Sequence, residues 1–355
     1  MPLLLLVATV HFLLIAILVV NLTELLRRRK SGESTERLPS LSVLIPARNE
    51  AAHLRRLIPE LLGQRYDGLE VIVYDDHSED ETQSVLAQFA DPRLKTIVGG
   101  DIPDGWIGKV HALYRATREA RGELYLFLDA DVSLRHEYAL RTLVGRYLTL
   151  PAGPAVLTGL THLVGRGLLL VSLVPNAVLT THPWPVLRRY RFRGGGALNG
   201  QCWLTSAEIY HRFEPHREFP AEVLEDVRIG RFLAAKGVIP HLVDVRDELR
   251  VRMYDSFAEA WRGFRKNAYL LMSGRPVGFI PLATLFFLAF VVGPILHPVF
   301  LCTVFLLKLA TDRVARMPWW VTALTPVSVA LAVVQQWDSA IHHWLGRVEW
   351  KGRRV

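Results

Sequence analysis

The sequence predicts an α/β fold with a mostly parallel sheet and membrane-spanning helices at both ends. Three features carry this. From Leu41 to Asp131, short apolar runs ending in polar or acidic residues alternate with segments of helical period, the pattern of a doubly wound domain. Pro2–Val20 is apolar and almost uncharged, and two further apolar stretches, Phe279–Leu309 and Met317–Val334, close the chain. Half of the 355 residues are hydrophobic, high for a soluble enzyme. The net charge is +8, but Lys and Arg gather beside apolar segments and form no stripe with interleaved aromatics. That favours an anionic membrane face over nucleic acid. Cys202 and Cys302 stand far apart, so neither a zinc site nor a disulfide framework is expected.

In chain order, residues 1–26 read as a transmembrane anchor, near the ~20 residues a helix needs to cross hydrocarbon. No basic segment precedes it, and Arg27-Arg28-Arg29-Lys30 follows at once. A cleavable signal is therefore not expected, and the positive-inside rule puts the following domain in the cytoplasm. Residues 27–39 form a basic and polar linker to a domain over 40–275.

Leu41–Pro46 predicts a buried strand, followed from Asn49-Glu50 by a helix whose Ala52, Leu54, Leu57, Ile58, Leu61 and Leu62 suit one packed face. Leu69–Tyr74 predicts a second strand ending in Asp75 and Asp76. Acids and hydroxyls there can cap the helix Thr82–Phe89, or a carboxylate can read a nucleobase or ribose. Thr96–Val98 reads as a third strand. Lys109 stands at a glycine-containing helix entrance, where free amides and a cation both suit phosphate. Leu124–Leu128 predicts a strand buried on both faces, ending in Asp129-Ala130-Asp131. Ligands bind beyond the carboxyl ends of such strands. In extended backbone these two acids share a side, so they can face one hard cation or be ordinary turn acids.

Residues 148–193 are apolar but broken by prolines and glycines. They read as an insertion packed on the domain or as a membrane-interface segment, with Trp184 at headgroup depth and Arg188, Arg189, Arg191 and Arg193 on anionic lipid. Gly194–Leu204 reads as a glycine hairpin that permits close backbone approach. Glu225 and Asp226 open a helix, where acids also simply suit the dipole. Arg262, Arg265 and Lys266 follow Trp261 on an amphipathic helix. That helix can lie on a membrane, or its cations can neutralise a leaving nucleoside diphosphate.

Ser42-Val-Leu-Ile-Pro-Ala-Arg-Asn-Glu50, Val73-Tyr-Asp-Asp-His-Ser-Glu-Asp-Glu-Thr82, Gly108-Lys109 and Asp129-Ala-Asp131, in this order, resemble the family 2 glycosyltransferases with a GT-A (Rossmann-like) fold. The resemblance implies a nucleotide-diphospho-sugar donor and a divalent cation, Mg2+ or Mn2+. Asp75 and Asp76 would face uracil and ribose, Pro46, Ala47, Arg48 and Glu50 would line the nucleotide pocket, and Asp129 and Asp131 would address the metal. Asn199, Gln201 and Trp203 would be acceptor-side contacts. His216 would touch donor or acceptor, or lie on the surface. Asp226, beside Glu225, matches the general base of an inverting transfer. The Gln-x-x-Arg-Trp of processive synthases is absent. Gly108-Lys-x-x-Ala-Leu113, Trp261-x-Gly-Phe-x-Lys-Asn267 and Trp350-Lys-Gly-Arg353 instead look like the membrane-bound branch associated with carotenoid and hopanoid pathways.

These readings together give a multi-pass enzyme of the cell membrane with a cytoplasmic catalytic domain and a membrane region over 276–355. It would move a hexose, glucose first, from a UDP-sugar to an isoprenoid or other lipid acceptor. The alternatives are a polymerising polysaccharide synthase and an inactive lipid-binding protein of the same fold. Phe279–Leu309, interrupted by Gly293-Pro294 and His297-Pro298, reads as one kinked span or a re-entrant hairpin. The kinked span, followed by a second crossing, is the preferred expectation.

Overall fold

Strand formation between Leu41 and Asp131 follows the apolar runs closely in a computed structural model of the chain, which describes residues 1–28, 38–151, 153–190, 192, 195–350 and 353–354. Arg29, Lys30 and the linker to Arg37 lie outside the described residues, as do Arg191, Arg193, Gly194, Lys351 and Gly352. The chain divides into two units. One comprises Leu25–His162 and Val186–Val251, the other Met1–Glu24, Leu163–Pro185 and Arg252–Val355.

The first unit is built on a seven-stranded sheet. Its order is Leu94–Val98, Leu69–Asp75, Leu41–Ala47, Leu124–Leu128, Cys202–Ser206, Ala155–Leu160 and Ile239–Asp244. Cys202–Ser206 runs antiparallel to both neighbours; the remaining pairs are parallel. The mixed α/β class with a mostly parallel sheet is therefore as expected. Leu41–Ile45, Val71–Val73 and Leu124–Leu128 are buried almost completely, because helices such as Ala51–Leu62 and Gly108–Glu119 cover the sheet. Leu44, Ile72, Phe127, Trp203, Tyr210 and Leu233 belong to one core cluster.

Several elements differ from the sequence reading. Ala155–Leu160 falls inside the expected insertion, yet it is a fully buried strand of the central sheet. Cys202–Ser206 is a strand where a glycine hairpin was expected. The domain expected to run to 275 ends near Val251, since the helix Phe257–Met272 groups with the apolar helices.

In the second unit, Trp184 is buried against protein and is not an exposed indole. Its indole N–H donates to Val178 O at 3.0 Å and its backbone N–H to Asn21 Oδ1 at 3.0 Å. Asn21 in turn donates to the Leu179 and His182 carbonyls, both at 2.8 Å. One amide thus ties the first helix, Pro2–Arg28, to the turn after Leu173–Thr181.

Near the C-terminus, the helical run from Pro276 to Leu296 breaks at His297, and Pro298–Ala315 follows. Both sides of the break meet His11. One ring nitrogen bonds the Thr303 hydroxyl, and Nε2 lies 3.0 Å from Ala289 O. A continuous helix would hold Ala289 and Thr303 about 21 Å apart, so the chain doubles back as a hairpin and the preferred kinked span is corrected. The second expected crossing, Met317–Val334, is also interrupted. A short helix, Trp319–Ala323, precedes Thr325–Trp344, whose C-terminal half carries Gln335, Asp338, His342 and His343. Among the described residues, two helical stretches, Pro2–Leu26 and Pro276–Leu296, are long and apolar enough to cross a membrane. Thr325–Trp344 instead packs on Phe257–Met272 through Asp338, which accepts from Trp261 Nε1 at 3.0 Å and from Arg265 Nε at 2.7 Å.

Candidate active site

All the expected donor-side and base residues belong to the first unit. Parallel strands deliver their carboxyl ends to one edge. Leu124–Leu128 delivers Asp129 and Asp131, and Leu41–Ala47 pairs in register with Leu69–Asp75 so that Ala47 stands opposite Asp75. The antiparallel strand starts at this same edge, with Cys202 opposite Leu128. Its reversal brings the preceding loop, Leu198–Gln201, to the acids. Had that strand been parallel, the loop would open at the opposite edge.

Lys109, in the first turn of Gly108–Glu119, lies between the acids. Its Nζ is 2.8 Å from Asp129 Oδ1 and 3.0 Å from Glu225 Oε1. Glu225 and Asp226 open the helix Glu225–Ala235. Asp226 Oδ2 accepts the Gly200 N–H at 2.8 Å and Oδ1 accepts the Val227 N–H at 2.7 Å, which fixes the carboxylate plane. A Cβ on residue 200 would fall 3.2 Å from both Asp226 Oδ2 and Lys109 Nζ, so only glycine leaves this geometry undisturbed.

The charges are unbalanced. Burial pushes the Asp226 carboxyl up to about 6, with Glu225 adding to it and Lys109 opposing. Asp131 is raised to about 7 by burial, then by Asp129 and Glu50. Burial also raises Asp129 despite its ammonium partner. Burial alone would lower Lys109, but Asp129, Glu225 and Asp226 outweigh it and hold the ammonium well above its usual range. Asp131 Oδ1 is buried with no hydrogen-bond partner, an expensive state for a carboxylate oxygen. Arg56 donates to the Asp131 and Val132 carbonyls at 3.3 and 3.4 Å and fixes the backbone there.

Beside these acids, two loops with left-handed residues, Asn49 (φ 54°) and His77 (φ 56°), lace together. Asn49 N–H donates to Ser78 Oγ, and Asn49 Oδ1 accepts from the Glu79 N–H, both at 2.8 Å. Asp75 is wholly buried. One oxygen accepts from the Ser78 N–H at 3.1 Å and the other from Gln83 Nε2 at 2.8 Å. Asp76 is buried beside His77 at 3.2 Å, its N–H donates to Ala47 O, and its carbonyl accepts from Arg48. The structure thus brings Pro46, Ala47, Arg48, Asp75 and Asp76 to one edge. Glu50 pairs with His53 at 2.6 Å, and that contact, more than the burial opposing it, raises the imidazole.

Asn199 and Gln201 build the loop that carries Gly200. Asn199 Nδ2 donates to Gly159 O at 2.9 Å, and Gln201 Oε1 accepts from Thr161 Oγ1 at 2.8 Å. Trp203 is 2% exposed and stacked on Phe127 at 3.7 Å. His216 is fully buried, with Nδ1 2.8 Å from the Tyr210 hydroxyl. Burial pushes its imidazole down to about 3, so it is neutral. Both lie in the core beneath the site. Arg262, Arg265 and Lys266 lie on Phe257–Met272 in the other unit, where Arg265 pairs with Asp338 and Lys266 O accepts from His343. Sequence reasoning missed His53, Arg56 and Gln83. Only the i,i+3 spacing of Glu50 and His53 offered a signal.

Residues 42–209 match the family described as Glycosyl transferase family 2. A 4,4'-diaponeurosporenoate glycosyltransferase of Staphylococcus haemolyticus is 33% identical over 120 residues, 34% of this chain and 31% of that one. A protein of the same name from Staphylococcus aureus is 24% identical over 234 residues, 64% and 60% of the two chains. This chain therefore spans less than two thirds of the length of these relatives. A solved mannosyltransferase from Pyrobaculum calidifontis, in complex with GDP-Man and Mn2+, covers 96% of this chain and 99% of its own at 21% identity and a TM-score of 0.52. That likeness shows the fold.

Proposed function

Residues 42–209 belong to the family 2 glycosyltransferases, and from that premise we propose that the protein transfers a hexose from a nucleotide-diphospho-sugar, UDP-glucose first, to a lipid acceptor of isoprenoid type. One observation carries this reading: Asp129, Asp131, Glu225 and Asp226 converge around Lys109 at the carboxyl edge of the parallel sheet. A binding protein gains nothing from buried acids held with raised proton affinity. A transferase needs one as a base.

Asp226 is that base. Held by two backbone N–H groups, its carboxylate takes the proton of an acceptor hydroxyl while the acceptor oxygen bonds the anomeric carbon. The bond from that carbon to phosphate breaks, its electron pair leaves on the nucleoside diphosphate, and configuration inverts. A carboxylate acceptor arrives without that proton and needs no base. Lys109, charged throughout, stabilises the negative charge gathering on the leaving group.

A divalent cation, Mg2+ or Mn2+, fits these residues. Asp131 presents an unpartnered buried oxygen beside Asp129, and among the described residues no group of three or more His, Cys, Asp or Glu forms an all-protein cage. Mg2+ is commonly held in this way, by one or two carboxylates plus substrate phosphates. Asp129 and Asp131 would hold the ion, which when bound neutralises diphosphate charge.

The relatives named for diaponeurosporenoate support a lipid acceptor. So do the two apolar helices and outward apolar side chains such as Phe12 and Val277, 70% and 81% exposed. In this reading the protein is a multi-pass enzyme of the cell membrane working on its cytoplasmic face. Detergent-purified protein incubated with a panel of nucleotide sugars and a membrane lipid extract should yield a lipid heavier by one hexose residue. No mass increment with any donor overturns the proposal.

A further inference from the structure

Lys109 is the cation already resident in the acid cluster. It spans two halves of the site that come from different elements: Asp129 after the strand Leu124–Leu128, and Glu225 on the helix Glu225–Ala235. Asp226 Oδ2 and Lys109 Nζ both flank the open side of Gly200, so the ammonium sits where donor acids and base meet. Asp129 Oδ1 is taken by the ammonium, whereas Asp131 Oδ1 has no partner. A divalent ion on Asp129 would share that carboxylate with the ammonium and face a unit positive charge at a few ångströms. That repulsion is large in a half-buried site.

We propose that Lys109 is a placeholder counter-cation: it occupies Asp129 in the unloaded protein, so that metal alone binds poorly and enters together with the nucleotide diphosphate. This inference rests on the metal-dependent reading above. The diphosphate supplies both missing parts of the exchange. Its oxygens complete the shell of the incoming ion, and its charge gives the displaced ammonium a new partner while Glu225 retains it from the other side. The ammonium itself is left unpaired at neither stage, which matters because an orphaned buried charge is costly. Lys109 acts here as a positioning residue that sets the order of binding. By linkage, Mn2+ and nucleotide must tighten each other by the same factor.

The test is Mn2+ binding to the full-length protein in detergent, read from the electron paramagnetic resonance signal of free Mn2+, with and without UDP. Wild type should bind Mn2+ at least about tenfold more tightly with UDP than without. Lys109→Met should bind Mn2+ alone at least about tenfold more tightly than wild type, and its gain from UDP should shrink. Lys109→Arg, which keeps the charge, should stay near wild type. Unchanged Mn2+ affinity in folded Lys109→Met overturns the inference, and if Mn2+ still binds with UDP the metal-dependent reading survives it. Should Lys109→Met fail to fold, wild type decides alone, since equal Mn2+ affinity with and without UDP overturns the placeholder. No Mn2+ binding even with UDP overturns both readings.

Discussion

Gly200 donates its backbone N–H to Asp226 Oδ2 at 2.8 Å, and a methyl group on Gly200 would stand 3.2 Å from that same oxygen and from Lys109 Nζ. The hydrogen bond and the empty space beside it are two halves of one constraint. Gly200→Ala should therefore displace the carboxylate by a few tenths of an ångström. A misplacement of about 1 Å near reacting atoms costs about 100-fold in rate, so this smaller shift should lower kcat by roughly 3- to 10-fold, with Tm within a few degrees of wild type. An unchanged kcat would remove Gly200 from the positioning of Asp226.

Asp226→Asn should keep UDP affinity within about threefold and lower transfer to a hydroxyl acceptor by about 100- to 10,000-fold, the range of a general base. Isothermal titration with UDP and a single-turnover assay separate the two effects. Normal transfer by this variant would end the assignment of Asp226.

The pH profile follows from the same carboxyl. With Asp226 raised to about 6, the base is ionised above that pH and protonated below it. Transfer to a hydroxyl acceptor should rise through pH 6 and level off near pH 7. A profile flat from pH 5 to 8 points to a carboxylate acceptor.

Stability should run the opposite way in metal-free buffer. Asp131 is held at about 7 when folded, against about 3.9 unfolded. The folded state binds more protons between these values, so stability falls as pH rises from about 4 to 7. Asp131→Asn removes this penalty and should raise Tm at pH 7.5, by about 2–4 °C for each kcal/mol recovered. A lower Tm in the variant would contradict the burial argument.

Trp203→Ala should cost about 3–5 kcal/mol, as for a buried aromatic, because the indole stacks on Phe127 at 3.7 Å. Trp203→Phe should restore most of the stability and leave the acceptor KM unchanged. A raised KM in the Phe variant would restore Trp203 to acceptor contact.

What could be read from the sequence, and what could not, divides along range of interaction. Leu41–Ala47, Leu69–Asp75 and Leu124–Leu128 were legible because a strand buried on both faces is continuously apolar. Their terminal acids were legible because parallel strands deliver their ends to one edge. Ala155–Leu160 and Cys202–Ser206 were not. The first contains Thr158 and Gly159 amid a proline- and glycine-broken stretch, and the second has Gly200 just before it, which reads locally as a hairpin. Only their pairing partners, remote in sequence, make them strands. Trp203 and His216 look like contact residues by type, but burial is a property of the fold. Arg265 likewise carries no mark of Asp338, 73 positions away.

Asn21 has a consequence for the order of events in synthesis. Its side chain bonds Leu179 O, 158 positions later in the chain, and it accepts from Trp184 five residues beyond that. At roughly 5–20 residues per second of translation, the first helix therefore exists for about 8–30 s before its amide meets any of these partners. During that interval the apolar helix carries an amide without its native partners, which lie in a segment the ribosome has not yet made. Any factor that shelters nascent chains has that window in which to act, and a pause in translation between Glu24 and Leu163 would lengthen it.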